Sequence, residues 1–553
     1  MTFDWRPHEP EPARARQYVH DGFWDDFALG QVLAEGLHDA AGAAFVVRSD
    51  RRPYQGTLGD VDALARRVAR GLAARGIRAG DAVAFQLPNW VEAAATFYAV
   101  AYLGAVVVPI VHFYGTKEVG YILRRTRVKA LVTADRFGAQ DFLVNLAALR
   151  AEGLPDLEWC AVVSDDGATT GVPGDCTFTD LVAADSIDGP ITVDPSAPAL
   201  IAYTSGTTAD PKGVVHVHRT INAEIRQLGA VQDPPAWAPV DVPDQITGAP
   251  VGHGIGMLAA LLIPVWRRRP INLIDVWDPG RVLAAMRAEH LGAGQGSTVF
   301  LTSLLDHPDF DPAVHVALMP QIGLGGSAVP LAVCERALAL GIQTMRSFGC
   351  TEHPSITGST WSDPWEQRSG TDGRALPGVE MRMVDEDGHD VPVGEPGEIW
   401  SRGPDCCFGY TDPVVTAASF EGSWYCTGDI GVLDERGCLR ITDRKKDIII
   451  RGGENISAAE VEELMMRLPG VAEVAVVAAP DARLGEHAAA FVRMQPGGGG
   501  APALDAVRAH LEQSGLARPK WPEEVHDIDV FPRTPSGKVQ KFALRARLRG
   551  EAR

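Results

Sequence analysis

Apolar residues recur at helical spacing at Val61, Leu64, Ala65, Val68 and Leu72, which predicts an amphipathic helix. Residues 82–85 (Ala-Val-Ala-Phe) form an unbroken apolar run behind the turn residues Ala79, Gly80 and Asp81, and predict a strand. A helical stretch over 90–103 follows, then strands over 105–108 and 130–133. Short apolar runs alternating with helical patterns predict parallel sheets covered by helices. Runs 199–202 and 214–217 predict two more strands on either side of a polar loop.

From about 370 to 445 glycine turns and short β runs dominate, at 379–384, 397–400 and 437–441, and predict a β-rich subdomain. Beyond Asp443 the alternation resumes on a smaller scale. Ser457 and Glu460 have the spacing of a capping box, ahead of Val461, Leu464, Met465 and Leu468 on one helical face. Strands over 471–479 and 488–492, a glycine linker over 497–500 and a helix near 504–513 complete a small α+β unit. The expected division is a large α/β domain over 1–443, with the β-rich subdomain at about 370–443, and a small C-terminal domain over 444–553. A chain of 553 residues is too long for one core, in keeping with that division.

Composition narrows the function. With 51 basic and 71 acidic residues the net charge is -20, which argues against nucleic-acid or anionic-membrane partners. The basic run Arg267 to Arg269 reads as a solvated surface feature. The eight cysteines form no Cys-x-x-Cys pair, so neither a zinc site nor a disulfide framework is indicated. The N-terminus shows no apolar signal segment, and the longest apolar run, 254–266, contains Pro264 and is too short to span a bilayer. A cytoplasmic location without integral membrane association is expected.

The loop between the strands at 199–202 and 214–217 is the richest in chemistry. Residues 203–214 hold five hydroxyl residues, two glycines and Lys212. Such a loop can wrap a polyanion: glycine lets the backbone approach, hydroxyls and N–H groups donate to phosphate oxygens, and lysine adds charge. It is not a Walker loop, because Pro211 stands where the second glycine belongs and Gly213 follows the lysine.

The segment Thr204, Ser205, Gly206, Thr207, Thr208, Ala209, Asp210, Pro211, Lys212, Gly213 resembles the signature loop of the adenylate-forming superfamily, which includes the acyl-CoA synthetases. It departs once, with Ala209 where glycine is usual. Five further segments resemble the same family in the expected order. Gly323 to Pro330 is a glycine-rich strand end, and the resemblance places Gly325, Gly326 and Ser327 at the nucleotide and Ala328 at the acyl pocket. Ser347, Phe348, Gly349, Cys350, Thr351 and Glu352 resemble Tyr-Gly-x-Thr-Glu, with Phe348 for the tyrosine. This implies nucleotide contacts from 348–350, a phosphate or acyl-adenylate contact from Thr351 and a Mg²⁺ ligand in Glu352. Tyr425 to Asp429 matches Tyr-x-Thr-Gly-Asp and assigns Asp429 to the ribose, with Arg444 as a second ribose contact and Asp443 as the hinge. Gly452 and Gly453 resemble the turn that faces coenzyme A. Pro532 to Lys541 matches the C-terminal lysine loop and implies that Lys538 is catalytic. His253, followed by Gly254, stands where the family places a residue beside the acyl chain, and Thr302 joins that pocket; a satisfied structural histidine is the other reading of His253.

The resemblance implies an enzyme that uses ATP, Mg²⁺ and coenzyme A. The acid carboxylate attacks the α-phosphorus of ATP and pyrophosphate leaves; the CoA thiol then attacks the acyl-adenylate and AMP leaves. The small domain is expected to swing about Asp443 between these steps, withdrawing Lys538 and bringing Gly452 and Gly453 to the site. Expected pocket walls at 253–257, 300–303, 325–329 and 350–357 hold no lysine or arginine to meet a second carboxylate, which favours a mostly apolar monocarboxylic acid: a medium- or long-chain fatty, alicyclic or steroid-side-chain acid. Alternatives are an aryl-CoA ligase, a ligase that loads a carrier-protein phosphopantetheine, luciferase-type oxidation, and an inactive acyl- or nucleotide-binding regulator.

Overall fold

Strands Ala82–Gln86, Val106–Pro109, Ala130–Ala134 and Trp159–Val163 are buried along their whole length. That is why they read as unbroken apolar runs: a parallel strand covered on both faces has no polar side to show. The computed structural model describes residues 5, 8–204, 211–231, 242–452, 454–481, 483–495, 497, 499–534 and 537–550. These four strands lie side by side in a seven-stranded sheet. All its pairings are parallel except the hairpin of Pro198–Thr204 with Lys212–Val217. A five-stranded sheet built on Ala44–Arg48 and Ile271–Ile274 accompanies it. The Val91–Tyr102 helix is buried on every face, and its Phe97, Tyr98 and Tyr102 share one core with Phe45 and Leu273 of the smaller sheet and Phe85 and Val107 of the larger. Its two phenols are satisfied: Tyr98 donates to the Leu261 carbonyl at 2.9 Å and Tyr102 to Asp62 at 2.6 Å.

Two further sheets shape the cleft. Gln321–Leu324 and Gln343–Phe348 are parallel neighbours with Leu324 opposite Arg346, so Gly325 and Gly349 leave adjacent strands at the same carboxyl end. Open α/β sheets bind ligands at that edge. The antiparallel sheet of Glu380–Val384, Gly397–Arg402, Trp424–Leu433 and Leu439–Arg444 places Asp429 directly opposite Arg444.

From Ile449 onward a separate sheet forms around Val471–Asp481 and Gly485–Met494. Two apolar clusters, one around Val461, Val476, Val492 and Leu511 and one around Val477, Phe491 and Leu544, draw only on residues of this region. The Ala458–Met465 helix differs from its sequence expectation at two points: it ends before Leu468, and its cap is only half made. Ser457 accepts the Glu460 N–H at 3.0 Å, but the reciprocal bond of a capping box is not made. The Glu460 carboxylate turns to Lys520 at 2.7 Å instead, where it meets a full positive charge.

Candidate active site

The two halves meet over a cleft of about 2690 Å³. Small-ligand pockets run to about 1,000 Å³, so the space accepts more than one substrate. Its walls include Thr204, Lys212, His253, Gly254, Thr302, Gly325, Gly326, Ser327, Ala328, Phe348, Gly349, Cys350, Thr351, Glu352, Asp429, Asp443, Arg444 and Lys538. Residues from separated stretches of the chain are thus gathered in one place. Ser205, Gly206, Thr207, Thr208 and Ala209 of the signature loop, and Gly453, lie outside the described residues.

The ends of the signature loop are held by the ladder that pairs Thr204 with Lys212. The Lys212 ammonium stands 5.6 Å from the centre of the Tyr410 ring, and the Tyr410 hydroxyl donates to Glu352 Oε1 at 2.7 Å. Tyr410 therefore connects the loop lysine to the buried acid. Burial, and then the Glu352 charge, push the Tyr410 phenol far above its ordinary pKa, so it stays a donor.

The turn that carries Thr351 and Glu352 is fixed at successive residues. His216 contacts the Thr351 carbonyl at 2.7 Å through Nε2 and Thr220 through Nδ1. Burial lowers the pKa of His216, and a neutral ring fits both contacts, with Nε2–H donating and Nδ1 accepting. The Cys407 N–H donates to the Glu352 carbonyl at 2.8 Å and Cys350 N–H to the His353 carbonyl at 3.0 Å. Gly349 is required by close approach: a Cβ there would lie 1.8 Å from the Pro354 carbonyl oxygen.

Asp429 and Arg444 join at 2.6 Å, and the carboxylate is the main reason the guanidinium is held more firmly charged than usual. Asp443 accepts from Arg444 N–H at 2.7 Å and from Ala458 N–H at 2.8 Å, so it also caps the Ala458–Met465 helix. Burial raises its pKa. Thr534 N–H donates to the Lys538 carbonyl at 2.7 Å. Gly537, at φ +83°, packs so closely that a Cβ would lie 3.0 Å from Val299 and 3.1 Å from Ser297. Burial and then the Arg444 charge lower the Lys538 pKa, while Asp429, Cys350 and Glu352 pull the other way. Those neighbours place the ammonium among the expected nucleotide contacts.

Gly452 lies apart. It is exposed, stands at φ +61° and donates to the Leu484 carbonyl at 2.8 Å, and it is not on the cleft wall. The C-terminal region presents Lys538 to the cleft. It is held there by Glu463, which accepts the Leu331 N–H at 3.2 Å at the start of the Leu331–Ala339 helix, and by Arg467 at 3.7 Å from Glu335.

On the side expected to take the acyl group, Gly326 at φ +73° leaves room for Ile255, whose Cδ1 would be 2.0 Å from a Cβ there. Thr302 donates to the Thr298 carbonyl and Thr298 to the Ala328 carbonyl. His253 accepts the Ile255 N–H at 3.4 Å; burial, with the Lys538 charge second, pushes its pKa down to about 4. Phe300 does not line the cleft as expected, because it packs edge-on against Trp277 at 4.7 Å. Tyr410, His216 and Glu224, the last a buried carboxyl on the cleft wall, carry no local motif that could have found them.

The sequence and fold are shared with known proteins. The AMP-binding enzyme family matches residues 38–411, and the AMP-binding enzyme C-terminal domain matches residues 460–538. The chain is 33% identical over 539 residues to the medium-chain fatty-acid–CoA ligase of Escherichia coli (strain K12), covering 96% of this chain and 92% of that one. It is 36% identical over 496 residues to the 3-[(3aS,4S,7aS)-7a-methyl-1,5-dioxo-octahydro-1H-inden-4-yl]propanoyl:CoA ligase of Rhodococcus jostii (strain RHA1), covering 86% and 91%. Among solved structures, ATP-bound MatB from Rhodopseudomonas palustris superposes with a TM-score of 0.80 at 28% identity, over 94% of this chain and 98% of that one. The anthranilate CoA ligase AuaEII shares the fold with a TM-score of 0.83 at 23% identity, over 95% and 97%.

Proposed function

The chain belongs to the AMP-binding enzyme family, and we propose that it joins a mostly apolar monocarboxylic acid to coenzyme A in two steps driven by ATP. A carboxylate does not acylate a thiol at neutral pH, because oxide is a poor leaving group. Attack of the acid on the α-phosphorus of ATP, with departure of pyrophosphate, converts it to an acyl-adenylate. Attack of the CoA thiol on that carbonyl then releases AMP.

The observation that carries this reading is the meeting of Lys538, Arg444, Asp429 and Glu352 around one cleft with His253 on its acyl side. Lys538 and Lys212 supply positive charge for the phosphoryl oxygens, where charge builds during adenylation. Asp429 is the acceptor for the ribose hydroxyls and Arg444 fixes its direction. Glu352 is a hard carboxylate of the kind Mg²⁺ takes, one oxygen of which Tyr410 already orients; a bound Mg²⁺ would neutralise phosphate charge. A neutral His253 beside small residues suits an uncharged acyl group.

The domains divide at 443/444, with Asp443 as hinge. Thioester formation requires the small domain to turn so that Gly452 and Gly453 replace Lys538, since Gly452 stands away from the cleft in this arrangement. Among the described residues no helix is long and apolar enough to cross a membrane, and we place the enzyme in the cytoplasm. The acid class follows from the relatives that act on medium-chain fatty and fused-ring acids. The test is acid-dependent AMP formation with acetate, octanoate, palmitate, benzoate and cyclohexanecarboxylate. Preference for octanoate, palmitate or the alicyclic acid supports the reading, and preference for acetate or benzoate overturns the acid class.

A further inference from the structure

Near the Thr351–Glu352 turn lies a set of buried polar side chains: Glu224 and Asp405 at 0% exposure, His353 at 0% and Ser355 at 5%. Glu224 comes from the His218–Val231 helix, and its Oε1 accepts the Ser355 hydroxyl at 2.7 Å. Its Oε2 meets no N–H or O–H donor among the described residues. Ser355 joins Glu224 to Asp405: its hydroxyl donates to Glu224 and its N–H lies 3.5 Å from Asp405 Oδ2, so the two buried carboxyls stand side by side. Asp405 Oδ1 lies 3.1 Å from His353 Nε2, and His353 Nδ1 lies 2.9 Å from the Ser401 hydroxyl. Gly403 leaves the space for this contact, since a Cβ there would lie 2.7 Å from His353 Nε2 and 3.0 Å from Asp405 Oδ1.

Two carboxylates in contact away from water cannot both be ionised. With no other donor at Oε2, the hydrogen between them must be carried by one of the acids. We infer that Glu224 and Asp405 share one proton and act together, through His353 and Ser355, as positioning residues for Thr351 and Glu352. Burial, with Asp405 second, raises the Glu224 carboxyl well above its ordinary range, which favours the proton on Glu224. His353 follows Glu352 directly and Ser355 lies just beyond it, so the pair holds the segment that carries Glu352.

The role in catalysis rests on the ligase reading above; the shared proton does not. The experiment compares Glu224→Gln and Glu224→Leu with the wild-type full-length protein. An amide at 224 donates to Asp405 and accepts from Ser355, so Glu224→Gln is expected to stay within about threefold of wild type in the kcat of acid-dependent ATP–pyrophosphate exchange. Glu224→Leu keeps the bulk but loses both bonds, and kcat is expected to fall by about tenfold or more with the KM for ATP nearly unchanged. Should the leucine variant fail to fold, Ser355→Ala removes one bond alone and is expected to lower kcat by about threefold. The infrared difference between wild type and Glu224→Gln at pH 7 is expected to show loss of a neutral-carboxyl C=O band. Absence of that band overturns the shared proton. Wild-type kcat in both Glu224→Leu and Ser355→Ala overturns the positioning role. If the wild-type protein forms no AMP with any acid, the ligase reading and the positioning role fall together, while the infrared difference still decides the shared proton.

Discussion

The Tyr410 hydroxyl donates to Glu352 Oε1 at 2.7 Å across a buried contact between residues 58 positions apart. An unpaired carboxylate in that place has lost a charge-assisted bond worth about 1.5–3 kcal/mol. Tyr410→Phe is therefore expected to lower the adenylation rate by about tenfold and to raise the Mg²⁺ concentration needed for half-maximal rate. Unchanged rate and Mg²⁺ dependence in pyrophosphate exchange would remove Tyr410 from the account.

Lys538 is expected to serve adenylation alone. Lys538→Ala should abolish pyrophosphate exchange and leave thioester formation from supplied acyl-adenylate within about threefold of wild type. The charged ammonium is the useful form, and burial and Arg444 disfavour it. Adenylation should thus decline on the alkaline side below the ordinary lysine pKa of about 10.4. Equal loss of both half-reactions in the alanine variant would contradict the assignment.

Glu463 caps the Leu331–Ala339 helix across the domain interface. Removing such a carboxylate from a helix N-terminus costs about 0.5–2 kcal/mol, here borne only by the arrangement that presents Lys538. Glu463→Ala should slow adenylation by about three- to tenfold and spare the thioester step. Loss of the thioester step instead, measured with supplied acyl-adenylate, would show that the contact belongs to the other arrangement.

Asp443 holds Arg444 and Ala458 at once. On the proposed hinge at Asp443, Asp443→Pro should slow the thioester step more than adenylation. Equal rates for both steps relative to wild type would mean that the turn occurs elsewhere.

Three histidines are held near pKa 4 by burial: His112, His218 and His253. In the unfolded chain they titrate near 6.5. The folded state prefers them neutral, so stability is full above about pH 6.5 and is lost as pH falls from there towards 4. The thermal midpoint should drop across that window, and by less in His218→Asn. A flat midpoint between pH 6.5 and 4.5 would contradict the burial argument.

Much of the large domain was legible because parallel strands covered on both faces leave unbroken apolar runs, as at Ala82–Gln86 and Ala130–Ala134. The site was legible where chemistry is local: glycines at strand ends, and a lysine in a Pro/Gly loop. It was not legible where partners are distant in sequence. His216 meets Thr351 over 135 residues and Glu224 meets Ser355 over 131, and neither pair leaves a spacing to read. The capping box at Ser457 was half right for the same reason, because Lys520 lies 60 residues from the Glu460 it takes.

The most direct test adds acid, ATP and Mg²⁺ to the purified protein, then coenzyme A, and follows pyrophosphate, AMP and acyl-CoA in the same sample. The account predicts pyrophosphate and an enzyme-bound acyl-adenylate first, then AMP and acyl-CoA in equal amounts once the thiol is present. Pyrophosphate release without any acyl-CoA after the thiol is added would contradict it.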